Sequence, residues 1–398
     1  MSAPNLFSDP AKCCSCKACS NVCPKNAISF LPNEDGFPYP KINEEICVGC
    51  NKCVKACQFN RHIILNEPKI TIACFNRDKK TLKQSTSGGV FSVIAESILK
   101  RNGAVFGCAM DENLYAQHVC VESVTQLENL RGSKYLLSDI KSCYKDAKAR
   151  LDNGQFVLFV GTPCQIAGLY CVLGKDYDNL LTIDLVCHGT PNYLMFKKYI
   201  EYLENKYKTK ITYYNFRTKK RTWLRFGCSF GNSNKQININ KFEEFYHTCF
   251  SSGHIIQESC YSCQFATGKR VGDFTLCDFW GFQISKIKIR EEKGLSACML
   301  NTEKALSYFD ELSGKIKYEE VDYDLVVKGN GCLRKPTKRG NFRDYYMRAY
   351  RENKIAEAAE QYTTNRKKFI KRQKFLYALP YKLYKLFRFG INKKKNRL

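Results

Sequence analysis

Apolar and polar positions fall along this chain in blocks of different period, and the blocks predict its elements. In the first 68 residues the apolar stretches are short. Ala27-Ile28-Ser29-Phe30 and Phe37-Pro38-Tyr39 flank Asn33-Glu34-Asp35-Gly36, a turn sequence that predicts a hairpin. Ile63-Ile64-Leu65 predicts a closing strand, and Pro68 marks a boundary. From residue 70 the texture changes: a strand over 70–74, a charged loop over 76–83, then small residues leading into a helical apolar pattern over 90–99. Strands are expected over 104–110 and 118–121, and a helix from about 139 to 151. The continuous apolar run 156–160 predicts a buried strand, 180–186 predicts another, and a helix over 166–173 lies between them. Residues 211–217 and 224–230 predict an antiparallel portion. A strand over 294–300 leads into a helix over 303–312, and beyond Asn330 the chain becomes helical and basic.

Strands alternating with helices predict an α/β layer architecture with α+β elements, whose ligands sit beyond the carboxyl ends of strands. The expected organisation is an N-terminal module at 1–68, an α/β unit in two parts at 69–155 and 156–330, and a basic helical tail at 331–398.

Composition sharpens this picture in two ways. The net charge is +26, yet residues 366–398 alone carry thirteen Lys or Arg and no acid, so half of the excess belongs to the tail. Within it, Lys382, Lys385 and Arg388 fall on one helical stripe between apolar residues, which fits contact with an anionic membrane surface. A solvated basic end is the plain alternative, and nucleic-acid binding ranks third. The chain also holds 23 cysteines, while residues 1–12 show no apolar signal region and no run is long enough to span a bilayer. Such thiol usage is expected of a reducing cytoplasm.

The cysteines carry the chemistry. Cys13-x-x-Cys16-x-x-Cys19-x-x-x-Cys23-Pro24 returns 34 residues later as Cys47-x-x-Cys50-x-x-Cys53-x-x-x-Cys57. Two-residue gaps let one tight loop present three thiolates to a cubane, and in two-cluster ferredoxins the fourth cysteine of each run crosses to the other cluster. Cys13, Cys16, Cys19 and Cys57 are thus expected on one [4Fe-4S] centre, and Cys47, Cys50, Cys53 and Cys23 on the second. Zinc sites pair CxxC units across a longer gap instead. Gln58 stands where a second Pro is usual, and Cys14 is spare. Centres of this kind imply low oxygen.

A further CxxC, Cys260 to Cys263, is by itself compatible with zinc, redox chemistry or a cluster. Cys164 and Cys187, each at a strand end, would complete a four-ligand set. The Ser87-Gly88-Gly89 helix start offers free N–H groups to an anion, although an ordinary capped helix reads the same. His188 is a candidate proton donor or a structural group. Asp278 and Trp280 either line a ligand pocket or anchor a strand-end turn.

Ser87-Gly88-Gly89-Val90, Gly132-Ser133-Lys134-Tyr135, Gly161-Thr162-Pro163-Cys164-Gln165, Cys187, Cys260-x-x-Cys263 and Gly272-Asp273 occur in an order and spacing that resemble the coenzyme F420 hydrogenase/dehydrogenase beta-subunit family. The resemblance covers residues 70–315. It implies an FAD-binding α/β domain following the dicluster ferredoxin module, with Cys164, Cys187, Cys260 and Cys263 holding a third [4Fe-4S] centre beside the flavin. It also implies that Ser87, Gly88, Gly89, Lys134, Tyr135, Gly161, Thr162 and Gln165 lie near FAD. Cys-His-Gly-Thr-Pro and Leu-Cys-Asp-Phe-Trp-Gly are similar to a bacterial branch found among polysaccharide-biosynthesis genes. The implied activity is an iron-sulfur flavoprotein oxidoreductase that takes electrons from a ferredoxin-like donor and reduces an unidentified substrate, or runs in reverse from a deazaflavin or nicotinamide. The alternative is a non-catalytic electron-transfer component feeding a partner enzyme. Either is expected in the cytoplasm, with peripheral contact at the inner membrane face through the tail.

Overall fold

The computed structural model describes residues 3–7, 9–219, 223–280, 288, 289, 291–379 and 383. Each N-terminal cysteine run ends in a one-turn helix, α1 (Ala18–Asn21) and α2 (Lys52–Lys55). Between them lies the expected hairpin, β1 (Ile28–Pro32) and β2 (Pro38–Ile42), with Ile28 opposite Ile42. Its turn is fastened by Asn33, whose Oδ1 accepts from Phe37 N at 2.9 Å.

The closing strand expected at 63–65 does not form. That segment is irregular, Ile64 is 75% exposed, and the nearby pairing is a single bridge between Asn66 and Arg270. Ile63 and Leu65 are half-buried against the core of the next unit, the one that contains Tyr144 and Leu169.

Beyond it come β3 (Ile70–Asn76), β4 (Ala104–Met110), β5 (Ala116–Val121), β6 (Val157–Gly161) and β7 (Leu180–Leu185). A separate antiparallel sheet of order β10-β9-β8 follows, built from β8 (Tyr213–Lys219), β9 (Phe226–Gly231) and β10 (Gln236–Asn240). With β11 (Phe274–Asp278), β12 (Ser296–Leu300) and β13 (Ile316–Glu320), the remaining strands form an eight-stranded sheet of order β13-β3-β12-β11-β7-β6-β4-β5. Its centre, β11-β7-β6-β4, is parallel, and both flanks are antiparallel.

The helices are α3 (Lys79–Gln84), α4 (Val90–Leu99), α5 (Cys143–Asp152), α6 (Pro163–Leu173), α7 (Tyr193–Tyr207), α8 (Phe245–Ser251), α9 (Glu303–Leu312), α10 (Tyr323–Gly329), α11 (Arg343–Arg351), α12 (Ile355–Asn365) and α13 (Lys367–Ala378). Strand β6 explains the layering: Leu158 packs with Ile94, Ile98 and Phe309 on the α4/α9 face, whereas Val157 and Phe159 pack with Tyr144 and Ile166 on the α5/α6 face. Both faces are dry, which is why the run is continuously apolar; each such side chain stabilises the fold by about 2 kcal/mol. A second core joins α7, α8, α11 and α12 to the small sheet.

Two further expectations shift. The charged stretch after β3 contains α3, because Asp78 caps it by accepting from Thr81 N at 2.9 Å and Leu82 buries its one large apolar side chain. Helix α5 starts at Cys143 rather than near Asp139, whose backbone instead pairs with β5: Asp139 N donates to Ala116 O and His118 N to Asp139 O. Among the described residues no helix is long and apolar enough to cross a membrane. The basic stripe of Lys382, Lys385 and Arg388 lies outside the described residues.

Candidate iron-sulfur and cofactor sites

Cys13, Cys16, Cys19 and Cys57 line one cavity in the N-terminal unit, roofed by Phe30 and Pro40 of the hairpin. Cys23, Cys47, Cys50 and Cys53 line another, walled by Ile28 and Ile42. The fourth cysteine of each run thus sits with the other run. Both loops reach this arrangement by the same backbone path: Ser15 and Lys17 have φ of 55° and 62°, and Gly49 and Asn51, 34 positions later, have 63° and 57°. Left-handed turns at these points wrap the loop around its contents. Ala27 N donates to Cys23 Sγ at 3.3 Å. Cys13 and Cys53 are buried whereas Cys50 is exposed, so the second cavity lies nearer the surface.

Cys164 and Cys187 stand just beyond the carboxyl ends of the parallel neighbours β6 and β7, and Cys260 and Cys263 come from a 3-10 turn that faces them. All four line one cavity. Gly189 N donates to Cys187 Sγ at 3.3 Å, and Thr162 Oγ1 lies 3.2 Å from Cys164 Sγ. Burial pushes the Cys260 and Cys263 thiols up to about 12 and about 11, and burial together with the neighbouring Cys260 and Cys164 drives Cys187 well above the ordinary range. Such thiols stay protonated unless a positive core replaces the protons, which is what iron supplies. Among the described residues no three His, Cys, Asp or Glu side chains converge on one ion. A cubane does not require that, since its thiolates bind different irons and stand apart.

The turn is held from below by an ion pair that sequence reasoning passed over. Asp184 in β7 accepts from Arg270 Nη2 at 2.7 Å, Val271 N at 3.0 Å, Gly272 N at 2.9 Å and Thr275 Oγ1 at 2.8 Å, and both side chains of the pair are buried. An Asp inside the apolar run 180–186 was the available signal. His188 lines the same cavity. Its Nδ1 is 3.4 Å from Thr337 Oγ1 and 3.7 Å from Cys332 Sγ, its Nε2 is buried without a partner, and burial lowers its pKa.

The residues expected near a flavin border one another around 131–139. Thr86, beside Ser87, accepts from Ser133 N at 3.1 Å, and Lys134 Nζ donates to Asn129 O and Arg131 O. Burial lowers the Lys134 pKa. Gly89 is the left-handed N-cap of α4, and no side chain caps that helix. Gly88 has a packing reason of its own, since a Cβ there would lie 2.5 Å from Cys74 O. Thr162 and Gln165 cap α6 reciprocally, with Gln165 Oε1 accepting from Thr162 N at 3.0 Å and Nε2 donating to Ser138 O. Gly161 sits beneath that cap. Tyr135 stacks with Phe250.

Two cations join this group unannounced. Arg217 pairs with Asp278 at 2.5 Å and lies over the rings of Phe226 and Trp280, while its Nε and Nη2 are buried without partners. Lys219 Nζ donates to Leu82 O at 2.9 Å, and burial lowers its pKa to about 8. Their spacing at i, i+2 puts both on one face of β8, whereas the strand expected over 211–217 stops short of Lys219.

The family model for the carboxy-terminal part of the coenzyme F420 hydrogenase/dehydrogenase beta subunit matches residues 154–324. Over those residues the chain carries the carboxy-terminal domain of that beta-subunit family. A "4Fe-4S dicluster domain" model matches residues 12–60 ahead of it. One subunit of the F(420)H(2) dehydrogenase of Methanosarcina mazei is 26% identical over 185 residues, covering 44% of this chain and 53% of that protein. An uncharacterized protein of Methanocaldococcus jannaschii is 27% identical over 228 residues, 46% of this chain and 61% of its own. The chain therefore spans about half the length of these curated relatives. The N-terminal unit is 39% identical over 54 residues to the ferredoxin-type protein NapF of Haemophilus influenzae, covering 14% of this chain and 30% of that protein. The match to the beta-subunit model thus follows an N-terminal match to a 4Fe-4S dicluster ferredoxin domain.

Proposed function

We propose that this protein is a three-centre iron-sulfur flavoprotein that carries electrons between a ferredoxin-type donor and a small-molecule substrate. The observation that supports this best is the meeting of Cys164, Cys187, Cys260 and Cys263 from three separate chain segments around one cavity, against the N-terminal cysteine loops. Each N-terminal [4Fe-4S] centre would be held by one of the crossed cysteine sets. The hairpin side chains over them exclude water, and the N–H groups on Cys23 and Cys187 Sγ favour the more negative state.

FAD fits the group of residues around 131–139. The unpartnered buried N–H groups of Arg217, the cations of Lys134 and Lys219 and the uncapped start of α4 suit an anionic diphosphate. When bound, FAD converts single electrons into hydride chemistry. Ser87, Gly88 and Gly89 would shape its loop and Tyr135 would offer a ring. Gly161, Thr162 and Gln165 fix the turn that aims Cys164. His188 lines the cavity as a neutral, buried ring, so it is suited to accept a proton there and to pass it on to a reduced substrate once charged.

A second reading, an electron-transfer component that feeds a partner enzyme, draws support from the Methanosarcina mazei relative, which is named as one subunit of a dehydrogenase. The exposed apolar side chains of Ile46 and Val48 beside Cys50 also favour it. Anaerobic purification tests both: about twelve iron per chain with released FAD is expected. Electron delivery to a small-molecule acceptor supports the first reading, and delivery only to a co-purified partner supports the second. Material without iron or flavin refutes both.

A further inference from the structure

The cavity of Cys13, Cys16, Cys19 and Cys57 and the cavity of Cys164, Cys187, Cys260 and Cys263 share two walls, Cys14 and Phe59. Between those walls in sequence and space stands Gln58, 1% exposed. Its Nε2 donates to Cys14 Sγ at 3.0 Å and to the carbonyl oxygen of Cys164 at 2.9 Å, while its Oε1 is buried without a partner. A second glutamine crosses the same seam in the opposite sense: Gln257, just before Cys260, donates to Cys13 O and Ser15 Oγ, both at 2.8 Å. Helix α6 comes so close that a Cβ at Gly168 would lie 3.2 Å from Cys16 Sγ.

A buried amide that leaves its own carbonyl oxygen unpaired is retained for what its N–H groups do. Those of Gln58 end on a thiol and on the backbone of a ligand candidate, one on each side of the seam. Proline, the usual residue at this point of the motif, has no side-chain donor and could not make either bond.

We propose that Gln58 and Cys14 form the crossing between the N-terminal cysteine sets and the third set, with Gln58 as the positioning residue that fixes their separation. This rests on the reading that both sets hold [4Fe-4S] centres. One electron passes there: the centre on Cys13, Cys16, Cys19 and Cys57 loses it, the centre on Cys164, Cys187, Cys260 and Cys263 gains it, and no bond or proton changes. A one-electron reductant of the ferredoxin class supplies the electron. The centre on Cys23, Cys47, Cys50 and Cys53, nearer the surface, is then the entrance. The Gln58 amide N–H groups, one of them on the Cys164 carbonyl oxygen, bring partial positive charge beside the receiving centre and so also raise its potential.

The test uses full-length protein isolated anaerobically, as wild type, Gln58→Glu, Gln58→Leu and Cys14→Ala. Iron content, the midpoint potentials of the three centres and their rates of appearance by rapid-freeze EPR with dithionite are measured. All four proteins should hold about twelve iron. In the variants the first two signals should appear at the wild-type rate. The third should appear on the order of ten-fold more slowly, and in the Gln58 variants at a more negative potential. Wild-type rate and potential at the third centre in both Gln58→Glu and Cys14→Ala would overturn the proposal. Loss of about four iron in Cys14→Ala makes that residue a ligand and overturns it too. A wild-type protein with only about eight iron has no third centre, and refutes the underlying reading as well as the crossing.

Discussion

Acidification should loosen the turn that carries Cys164, through His118. This ring is 2% exposed in β5, with Nε2 2.9 Å from Val160 O and Nδ1 2.8 Å from Ser138 Oγ. A carbonyl can only accept, which assigns a proton to Nε2; burial keeps the ring neutral, so Nδ1 accepts from the serine hydroxyl. Burial lowers its pKa from 6.5 to about 4. The folded value lies below the unfolded one, so between them the unfolded chain binds more protons. Stability is unaffected above about pH 6.5, falls as the pH drops, and levels off below about pH 4. The full difference is worth about 3 kcal/mol, and about 2 kcal/mol is already lost at pH 5. Against a typical total of about 5–15 kcal/mol, that is a large share. The strain falls on Val160, four residues before Cys164. Pulse proteolysis in urea of anaerobically prepared holoprotein, at pH 7, 6 and 5, measures it against His118→Gln, which keeps a donor and an acceptor but does not titrate. The variant should lose about 2 kcal/mol less between pH 7 and pH 5. His247, lowered to about 3 by its own burial, is common to both proteins and cancels. Parallel pH profiles would refute the reasoning.

Gly88→Ala puts a Cβ 2.5 Å from Cys74 O and 2.9 Å from Ser296 N, both backbone atoms, and should cost about 1–3 kcal/mol in thermal unfolding. Arg270→Met strands the buried Asp184 carboxylate; a loss of about 3–5 kcal/mol is expected, and unchanged stability would show that the pair is dispensable. Cys23→Ala should remove about four iron per chain without touching the EPR signals of the other sets. Ending the chain after Ala378 should reduce co-sedimentation with anionic liposomes, and equal binding by both lengths rejects a membrane role for the basic tail.

The cysteine loops were legible because their spacing is local: two-residue gaps and a repeat at 34 positions carry the geometry without tertiary information. Strands β4 and β6 were legible from unbroken apolar runs, and β7 from an apolar stretch interrupted by Thr182 and Asp184. What the sequence concealed was set by long-range packing. β13 reads as Ile316-Lys317-Tyr318-Glu319-Glu320, polar because it is an edge strand with an exposed face, and only its partner β3 makes it a strand. Ile63-Ile64-Leu65 has strand composition, but Ile63 and Leu65 pack against the α5/α6 core and the nearby pairing is the single Asn66–Arg270 bridge. Arg217, Lys219 and Arg270 carry charges that a sequence places at the surface, yet all three are enclosed by elements distant in the chain. Gln58 was visible as a departure from the motif, and its role needed the carbonyl of Cys164, 106 residues away.

The glutamine clasps that fasten the N-terminal unit to the beta-subunit domain also limit how the molecule can work. A swinging carrier arm, hinged to visit its target and return, would need a slack tether, and here both sides of the joint are stitched backbone to side chain. Turnover in such a rigid wire should respond to viscosity or ionic strength only through the arrival and departure of outside partners, never through an internal stroke.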